Sequence, residues 1–105
     1  MEKPVGSGEM SLVHKCQPSP GGPDYIFFCP GCQCGHGVWI THPNDRTQAM
    51  WSFNRDMEKP TFSPSLRIDD GQGRICHMVV TDGMLNFCGD STHEMAGKSV
   101  AMVDF

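Results

Sequence analysis

The most informative stretch of the chain is Phe28-Cys29-Pro30-Gly31-Cys32-Gln33-Cys34-Gly35-His36. Cys29 and Cys32 are three positions apart with a Pro-Gly pair between them. This spacing is typical of a tight turn that points two sulfur atoms at one metal ion. The amides of such a turn can also donate hydrogen bonds to the sulfurs. The stretch therefore predicts half of a tetrahedral zinc site, and the other half must come from further along the chain.

The segments on either side of this turn predict a β-hairpin. Residues 25–28 form an apolar run, Tyr-Ile-Phe-Phe, that is typical of a buried strand. Residues 36–41 alternate between two faces, with Val38 and Ile40 on one of them. One strand thus enters the turn and another leaves it, and the metal turn lies at the tip of the hairpin, as in zinc ribbons.

A second hairpin is predicted over residues 74–88. Its two strands are joined by Asp82-Gly83, a dipeptide suited to a two-residue type I′ turn. With that turn, His77 faces Cys88 across the strands, so their side chains share one face of the hairpin. Cys76 then points to the other face, because successive strand residues alternate.

Two further segments complete the predicted fold. The prolines within residues 60–66 forbid a helix and remove ladder donors, so we expect an extended segment at a sheet edge or across its surface. Residues 91–94 fit a capping box, and Gly97 is placed to end the helix after barely more than one turn. With six or seven short strands in all, the predicted fold is a small all-β single domain with minimal helix and a zinc-ribbon-like Cys-Pro-Gly-Cys knuckle.

Composition predicts a thin hydrophobic core. Only 20 of the 105 residues are Leu, Ile, Val or Phe, whereas Gly and Pro number 12 and 8. A metal cross-link is a plausible source of the missing stability in so small a domain. The net charge is −4 and the eight basic residues are scattered among twelve acids, which argues against binding to phosphate backbones.

The beginning of the chain carries no apolar leader, and nowhere are there eighteen consecutive apolar residues. We therefore expect a cytoplasmic protein. In a reducing compartment, six cysteines favour metal ligation over disulfides. The Pro- and Gly-rich residues 1–23 are expected to form a flexible arm, apart from a strand around residues 10–15, and residues 24–105 the zinc-binding β domain.

The second half of the metal site is expected from Cys76 and His93. Cys76 lies at the start of a strand, beside the loop that follows its hairpin partner, and His93 lies in that loop. The predicted site is one Zn²⁺ per chain, bound by Cys29, Cys32, Cys76 and His93. Three residues near these thiols are the second choice as ligands: His77, His36 and Cys88.

Five short motifs follow one another along the chain. They are Phe28-Cys-Pro-Gly-Cys32 with His36, Trp51-Ser-Phe-Asn54, Pro60-Thr-Phe-Ser-Pro-Ser-Leu66, Cys76-His77 and Asp90-Ser-Thr-His93. Together they resemble a small zinc-binding family of unknown function, found mainly in tailed phages and prophages and often labelled ammonia monooxygenase. Related domains appear in bacterial gene clusters with ubiquitin-like components. The label does not fit this sequence, because ammonia monooxygenases look like multi-pass membrane copper enzymes.

The sequence favours a non-catalytic protein-interaction module over an enzyme, because sites made only of thiolates and imidazoles are mostly closed and structural. It assigns no catalytic residue. The expected partner is a protein, and neither nucleic acid nor a membrane is expected. If the phage resemblance applies, the partner is a host protein and the compartment is the host cytoplasm. One alternative is a zinc-dependent hydrolase or transferase using His77, Asp90 and His93. A nucleic-acid-binding zinc ribbon is a further alternative.

Overall fold

A computed structural model describes residues 10–105 of the chain as eight strands, with no helix among them. The all-β class expected from the sequence is confirmed. None of the described residues forms a helix of the length and apolar character needed to cross a membrane. The strands are β1 (Val13–Lys15), β2 (Tyr25–Cys29), β3 (Cys34–Val38), β4 (Ser52–Phe53), β5 (Phe62–Asp69), β6 (Ile75–Thr81), β7 (Met84–Phe87) and β8 (Ser99–Ala101).

The first sheet is antiparallel and has the order β1-β2-β3. Its β2–β3 hairpin ends at the pair Cys29 and Cys34, so the Cys-Pro-Gly-Cys turn lies at the hairpin tip, as expected. β1 falls within the predicted N-terminal arm, yet it pairs with β2, and Val13 is fully buried. Residues 13–15 thus belong to the sheet, while residues 1–9 of the predicted arm lie outside the described residues.

The second sheet is antiparallel and has the order β4-β5-β6-β7-β8. The β6–β7 hairpin turns at Asp82-Gly83, where both residues have positive φ, as a type I′ turn requires. Thr81 pairs with Met84, which is the register that a two-residue turn dictates. The predicted second hairpin is confirmed.

β5 differs from its predicted position at a sheet edge, because it lies between β4 and β6. The register of β5 against β6 shifts between Phe62 and Leu66. Pro64 lies inside this irregular part, where the regular ladder is interrupted and a missing amide donor is tolerated. The strand can therefore hold an interior position despite its proline, and it carries the short polar stretch that ends at Ser65.

One hydrophobic core joins the two sheets. Phe27 from the first sheet stacks on Phe62 from the second, with ring centroids 6.3 Å apart. The two sheets thereby form a single domain around this core. The other fully buried side chains include Val13, Val38, Leu66, Met78, Val80 and Leu85.

The short helix predicted to begin near Ser91 is absent, and residues 94–97 form a turn instead. The hydroxyl of Ser91 does not cap a helix, because it forms hydrogen bonds to both backbone groups of His77. Gly97 does adopt the positive φ expected at the end of this segment. The segment is thus a compact loop fastened to β6.

Candidate active site and metal centre

Strand β6 supplies adjacent residues to two separate side-chain groups. Cys76 is buried on the inner face of the strand, whereas His77 lies on the opposite face and is partly exposed. This follows from the alternation of side chains along a strand. The loop after β7 also contributes one residue to each group. Asp90 belongs to the group of His77, and His93 belongs to the group of Cys76.

The first group consists of Cys29, Cys32, Cys76 and His93, whose candidate ligand atoms all lie within 4.8 Å of one another. The sulfurs of Cys29 and Cys76 are 3.8 Å apart, and His93 Nε2 lies 3.2 Å from Cys76 Sγ. The Cys32 amide donates a hydrogen bond to Cys29 Sγ at 3.4 Å, as expected of the knuckle turn. The structure thus brings together the four residues that the sequence analysis selected, in an arrangement compatible with a metal ion.

The three thiols of this cluster differ in pKa, and only that of Cys29 is lowered. The hydrogen bond from Cys76 lowers the pKa of the Cys29 thiol to about 4, with further help from His36 and the Cys32 amide. The same hydrogen bond raises the pKa of Cys76, which holds the shared proton. Burial raises the pKa of Cys32 to about 11. A metal ion that binds all three sulfurs must therefore displace protons from Cys32 and Cys76.

The second-choice ligands do not join this cluster. His77 and Cys88 form a separate group with Asp90 on the other side of β6. His36 is buried beside Phe27, with ring centroids 5.8 Å apart, and its Nε2 has no hydrogen-bond partner among the described residues. It lines a cavity of about 500 Å³ that is also lined by three residues of the first group, Cys32, Cys76 and His93.

The second group is a hydrogen-bonded chain of three side chains. Ser65 Oγ lies 3.1 Å from His77 Nε2. On the other side of the imidazole, His77 Nδ1 lies 3.0 and 3.1 Å from the two carboxylate oxygens of Asp90. A serine hydroxyl, an imidazole and a carboxylate joined in this order form the triad used in nucleophilic catalysis by serine hydrolases.

Backbone hydrogen bonds hold this triad in place. Ser91 Oγ accepts the His77 amide and donates to the His77 carbonyl, both at 3.0 Å. The Cys88 amide donates to the same carbonyl at 2.8 Å. Trp51 Nε1 donates a hydrogen bond to the carbonyl of Ser65, which lies on β5, at 3.2 Å. The histidine and the serine are therefore fixed through their main chains, which leaves their side chains free to act.

The triad lies on the solvent-facing side of the second sheet. Its residues are partly exposed, with the side chains of His77 and Asp90 exposed by 24% and 53%. Ser65 and Arg67 alternate with the buried Leu66, and Arg67 pairs with His77 across the strands. A substrate can thus approach the hydroxyl along an open sheet surface.

Ser65 is the residue that sequence reasoning missed. The hydrolase alternative names His77 and Asp90 together, but Ser65 is brought to them only by the register of β5 against β6, which places Arg67 opposite His77. The signal was a serine within an extended, proline-containing segment that precedes a hairpin with His77. The sequence pattern alone does not predict which residues of β5 and β6 face each other, because the register of the two strands shifts after Phe62.

Comparisons with known proteins give one match. The family model described as "Bacterial ubiquitination-like system serine protease (BubE)" matches residues 4–88, which is most of the chain. The matched range includes Ser65 and His77. No curated protein and no solved structure matches the chain significantly. The resemblance to the phage family stays a prediction, because this match does not bear on it.

This match corrects the prediction of a non-catalytic protein-interaction module. The family is named for a protease, so the preference for a protein without enzymatic activity was wrong. The hydrolase alternative included His77 and Asp90, but it gave the chemistry to a zinc ion rather than to a serine. The error came from treating the metal cluster as the chain's sole chemical site.

Proposed function

Because the chain belongs to the family of bacterial ubiquitination-like system serine proteases (BubE), we propose that it is a serine peptidase. In this proposal Ser65 is the nucleophile, His77 the general base and Asp90 the residue that orients the base. The observation that carries it is the continuous pair of hydrogen-bond contacts, 3.1 Å from Ser65 to His77 and 3.0 Å from His77 to Asp90. The protein partner expected from the sequence is then the substrate, a protein of a bacterial ubiquitination-like system.

The first half of the reaction forms an acyl-enzyme. Ser65 Oγ attacks the carbonyl carbon of the scissile bond while His77 Nε2 takes the hydroxyl proton. The proton then passes from Nε2 to the leaving amine as the carbon–nitrogen bond breaks, and the acyl group remains as an ester on Ser65. Water repeats the sequence in the second half, giving up its proton to His77, releasing the acid and restoring the Ser65 hydroxyl.

Asp90 sets the tautomer of the histidine. Its carboxylate accepts a hydrogen bond from Nδ1, so the proton of neutral His77 stays on Nδ1 and Nε2 faces Ser65 with a free lone pair. The carboxylate also stabilises the imidazolium that forms during the attack. Since Ser91 fixes the backbone of His77, the ring has little freedom to leave this arrangement.

Reaction with a fluorophosphonate tests this function without knowledge of the natural substrate. Such a reagent phosphonylates serines that are activated by a neighbouring base, so we expect one adduct per chain on the peptide that contains Ser65. Peptide mapping by mass spectrometry locates the adduct. A Ser65→Ala variant must lose it and a Ser63→Ala variant must keep it, since Ser63 lies two residues away on the same strand and is exposed. An adduct on another serine, or none, would refute the assignment.

We further propose that the cluster of Cys29, Cys32, Cys76 and His93 holds a structural Zn²⁺, one per chain. Three thiolates and one imidazole are a typical closed zinc set and leave no position for substrate. The cluster lies on the opposite face of β6 from His77, so the ion takes no part in the peptidase reaction. When bound, it ties the β2–β3 hairpin to β6 and to the loop that carries Asp90.

Gly31→Ala should weaken zinc binding about tenfold or more, by displacing one proposed ligand. A Cβ at Gly31 would lie 2.5 Å from His93 Cε1 and 2.6 Å from Nε2, so the ring must move. Competition with a chromophoric chelator measures the affinity. Gly89→Ala is the matched control, because a Cβ there meets no atom within 4 Å. An unchanged affinity in Gly31→Ala would show that His93 is not a ligand.

A further inference from the structure

The triad histidine and aspartate have a third neighbour that peptidase chemistry does not use. A ring nitrogen of His77, the sulfur of Cys88 and a carboxylate oxygen of Asp90 all lie within 4.8 Å of one another. A serine triad has no role for a thiol at this place. The three side chains nevertheless present nitrogen, sulfur and oxygen donors toward one point on the outer face of the second sheet.

One separation within this group is close to that around a tetrahedral ion, and the sulfur of Cys88 lies within 4.8 Å of the other two ligand atoms. His77 Nδ1 and the Asp90 oxygens are 3.0–3.1 Å apart. Two such atoms bound to one zinc ion at about 2.0–2.2 Å are separated by about 3.3 Å, and a sulfur and a nitrogen by about 3.6 Å. Small side-chain movements therefore suffice to bring all three donors onto one ion.

The backbone already holds the three residues in register. Cys88 follows the last residue of β7, and its amide donates to the His77 carbonyl at 2.8 Å. Ser91, next to Asp90, bonds both backbone groups of His77. Because His77 and Asp90 are partly exposed, an ion can reach the group from solvent, and water can fill the fourth position.

From this geometry we propose that His77, Cys88 and Asp90 form a second zinc site, which inhibits the enzyme when it is occupied. A thiolate, an imidazole and a carboxylate suit Zn²⁺ better than Mg²⁺ or Ca²⁺, which prefer oxygen ligands. The inhibitory part rests on the proposed peptidase function.

Inhibition follows because the ion would bind to atoms that catalysis needs. Catalysis needs the proton on His77 Nδ1 and the carboxylate of Asp90 as its acceptor. A zinc ion bound to Nδ1, the Cys88 sulfur and Asp90 displaces the Nδ1 proton and the thiol proton into solvent. The ring then no longer has the orientation or basicity with which Nε2 activates Ser65, so free zinc reversibly switches the nucleophile off.

Titration with Zn²⁺ tests the site independently of activity. We expect the full chain to bind two ions, the second more weakly, by calorimetry and by chelator competition. Cys88→Ala should retain the first ion and weaken the second at least about tenfold. Cys16→Ala is the matched control, since this thiol lies outside both groups, and it should bind two ions. A second ion of unchanged affinity in Cys88→Ala would overturn the proposal.

The inhibitory role is tested by the rate at which fluorophosphonate labels each variant. This rate is compared with the rate of the same variant without the second ion. Added Zn²⁺ should slow labelling at least tenfold in the full chain and in Cys16→Ala, but not in Cys88→Ala. Labelling that is equally insensitive to zinc in all three would overturn inhibition. A Cys88-dependent second ion in a chain that never labels Ser65 would support the metal site and refute the peptidase function, so the two failures are distinguishable.

Discussion

Replacing Ser65 with alanine should lower the hydrolysis rate by about 10⁴–10⁶-fold, the range seen when a triad member is removed from a serine protease. The physical reason is the loss of the atom that attacks the carbonyl, for which water held by the remaining residues is a poor substitute. Hydrolysis of a small activated ester such as p-nitrophenyl acetate, followed by absorbance and corrected for spontaneous hydrolysis, provides the measurement.

The fold should survive this substitution. Ser65 is only partly buried, and its hydroxyl contacts His77, whose backbone is held independently by Ser91. The melting temperature should therefore stay close to that of the unaltered chain. Ser63→Ala, on the same strand, should keep both stability and rate. If Ser65→Ala hydrolysed the ester as fast as the unaltered chain, Ser65 would not be the nucleophile.

Much of the fold was predictable because its signals are local. The Cys-Pro-Gly-Cys turn fixes the tip of the β2–β3 hairpin, and Asp82-Gly83 fixes the register of β6 and β7. In both hairpins the turn residues and the flanking strands are adjacent in sequence. Local backbone preference and side-chain alternation are then sufficient to specify the pairing.

The parts that could not be predicted depend on distant contacts. The proline-containing segment was expected at a sheet edge or across the sheet surface, but the irregular register after Phe62 lets β5 pair on both sides. The helix expected near Ser91 lost its cap, because the hydroxyl bonds the main chain of His77 instead. Tertiary contacts thus override both local preferences, and sequence patterns do not report such contacts.

The candidate sites also divide into one that the sequence predicted and one that it did not. The sequence selected all four members of the Cys and His cluster, since Cys and His near a knuckle carry a clear chemical signal. Serine carries none, because it is common in loops and strands of every kind. Ser65 therefore became recognisable only when the structure placed its hydroxyl beside His77. The alternation of Cys76 and His77 on β6 was the one sequence feature that already separated the two sites.

Removing the proposed zinc ion should destabilise the whole domain and abolish hydrolysis together. The four cluster residues come from β2, the knuckle turn, β6 and the loop after β7, so one ion links both sheets. Structural zinc contributes about 10–16 kcal/mol in zinc-finger peptides, comparable to the total stability of about 5–15 kcal/mol of an ordinary domain. The chelated chain should lose at least about 5 kcal/mol, which corresponds to a melting temperature lower by about 20 °C or more.

The loss of activity has a specific structural route. His93 and Asp90 lie in the same loop, and His93 Nε2 lies 3.2 Å from Cys76 Sγ within the proposed zinc site. When the ion leaves, the loop is released and Asp90 no longer fixes the tautomer of His77. Cys29→Ser should have the same effect as chelation, because it removes the thiol with the lowest pKa of the cluster. Differential scanning calorimetry and ester hydrolysis on the same samples measure the two losses.

Replacement of the metal separates this structural role from a catalytic one. Cd²⁺ is soft and binds thiolates well, so one equivalent should restore the fold of the chelated chain, its melting transition and its hydrolysis rate alike. A catalytic ion would behave differently, since the rate would then change with the Lewis acidity of the metal even in a folded chain. A chelated chain that melts at an unchanged temperature would contradict the structural role altogether. Recovery of stability without recovery of rate would place the metal in the chemistry rather than in the loop that positions Asp90.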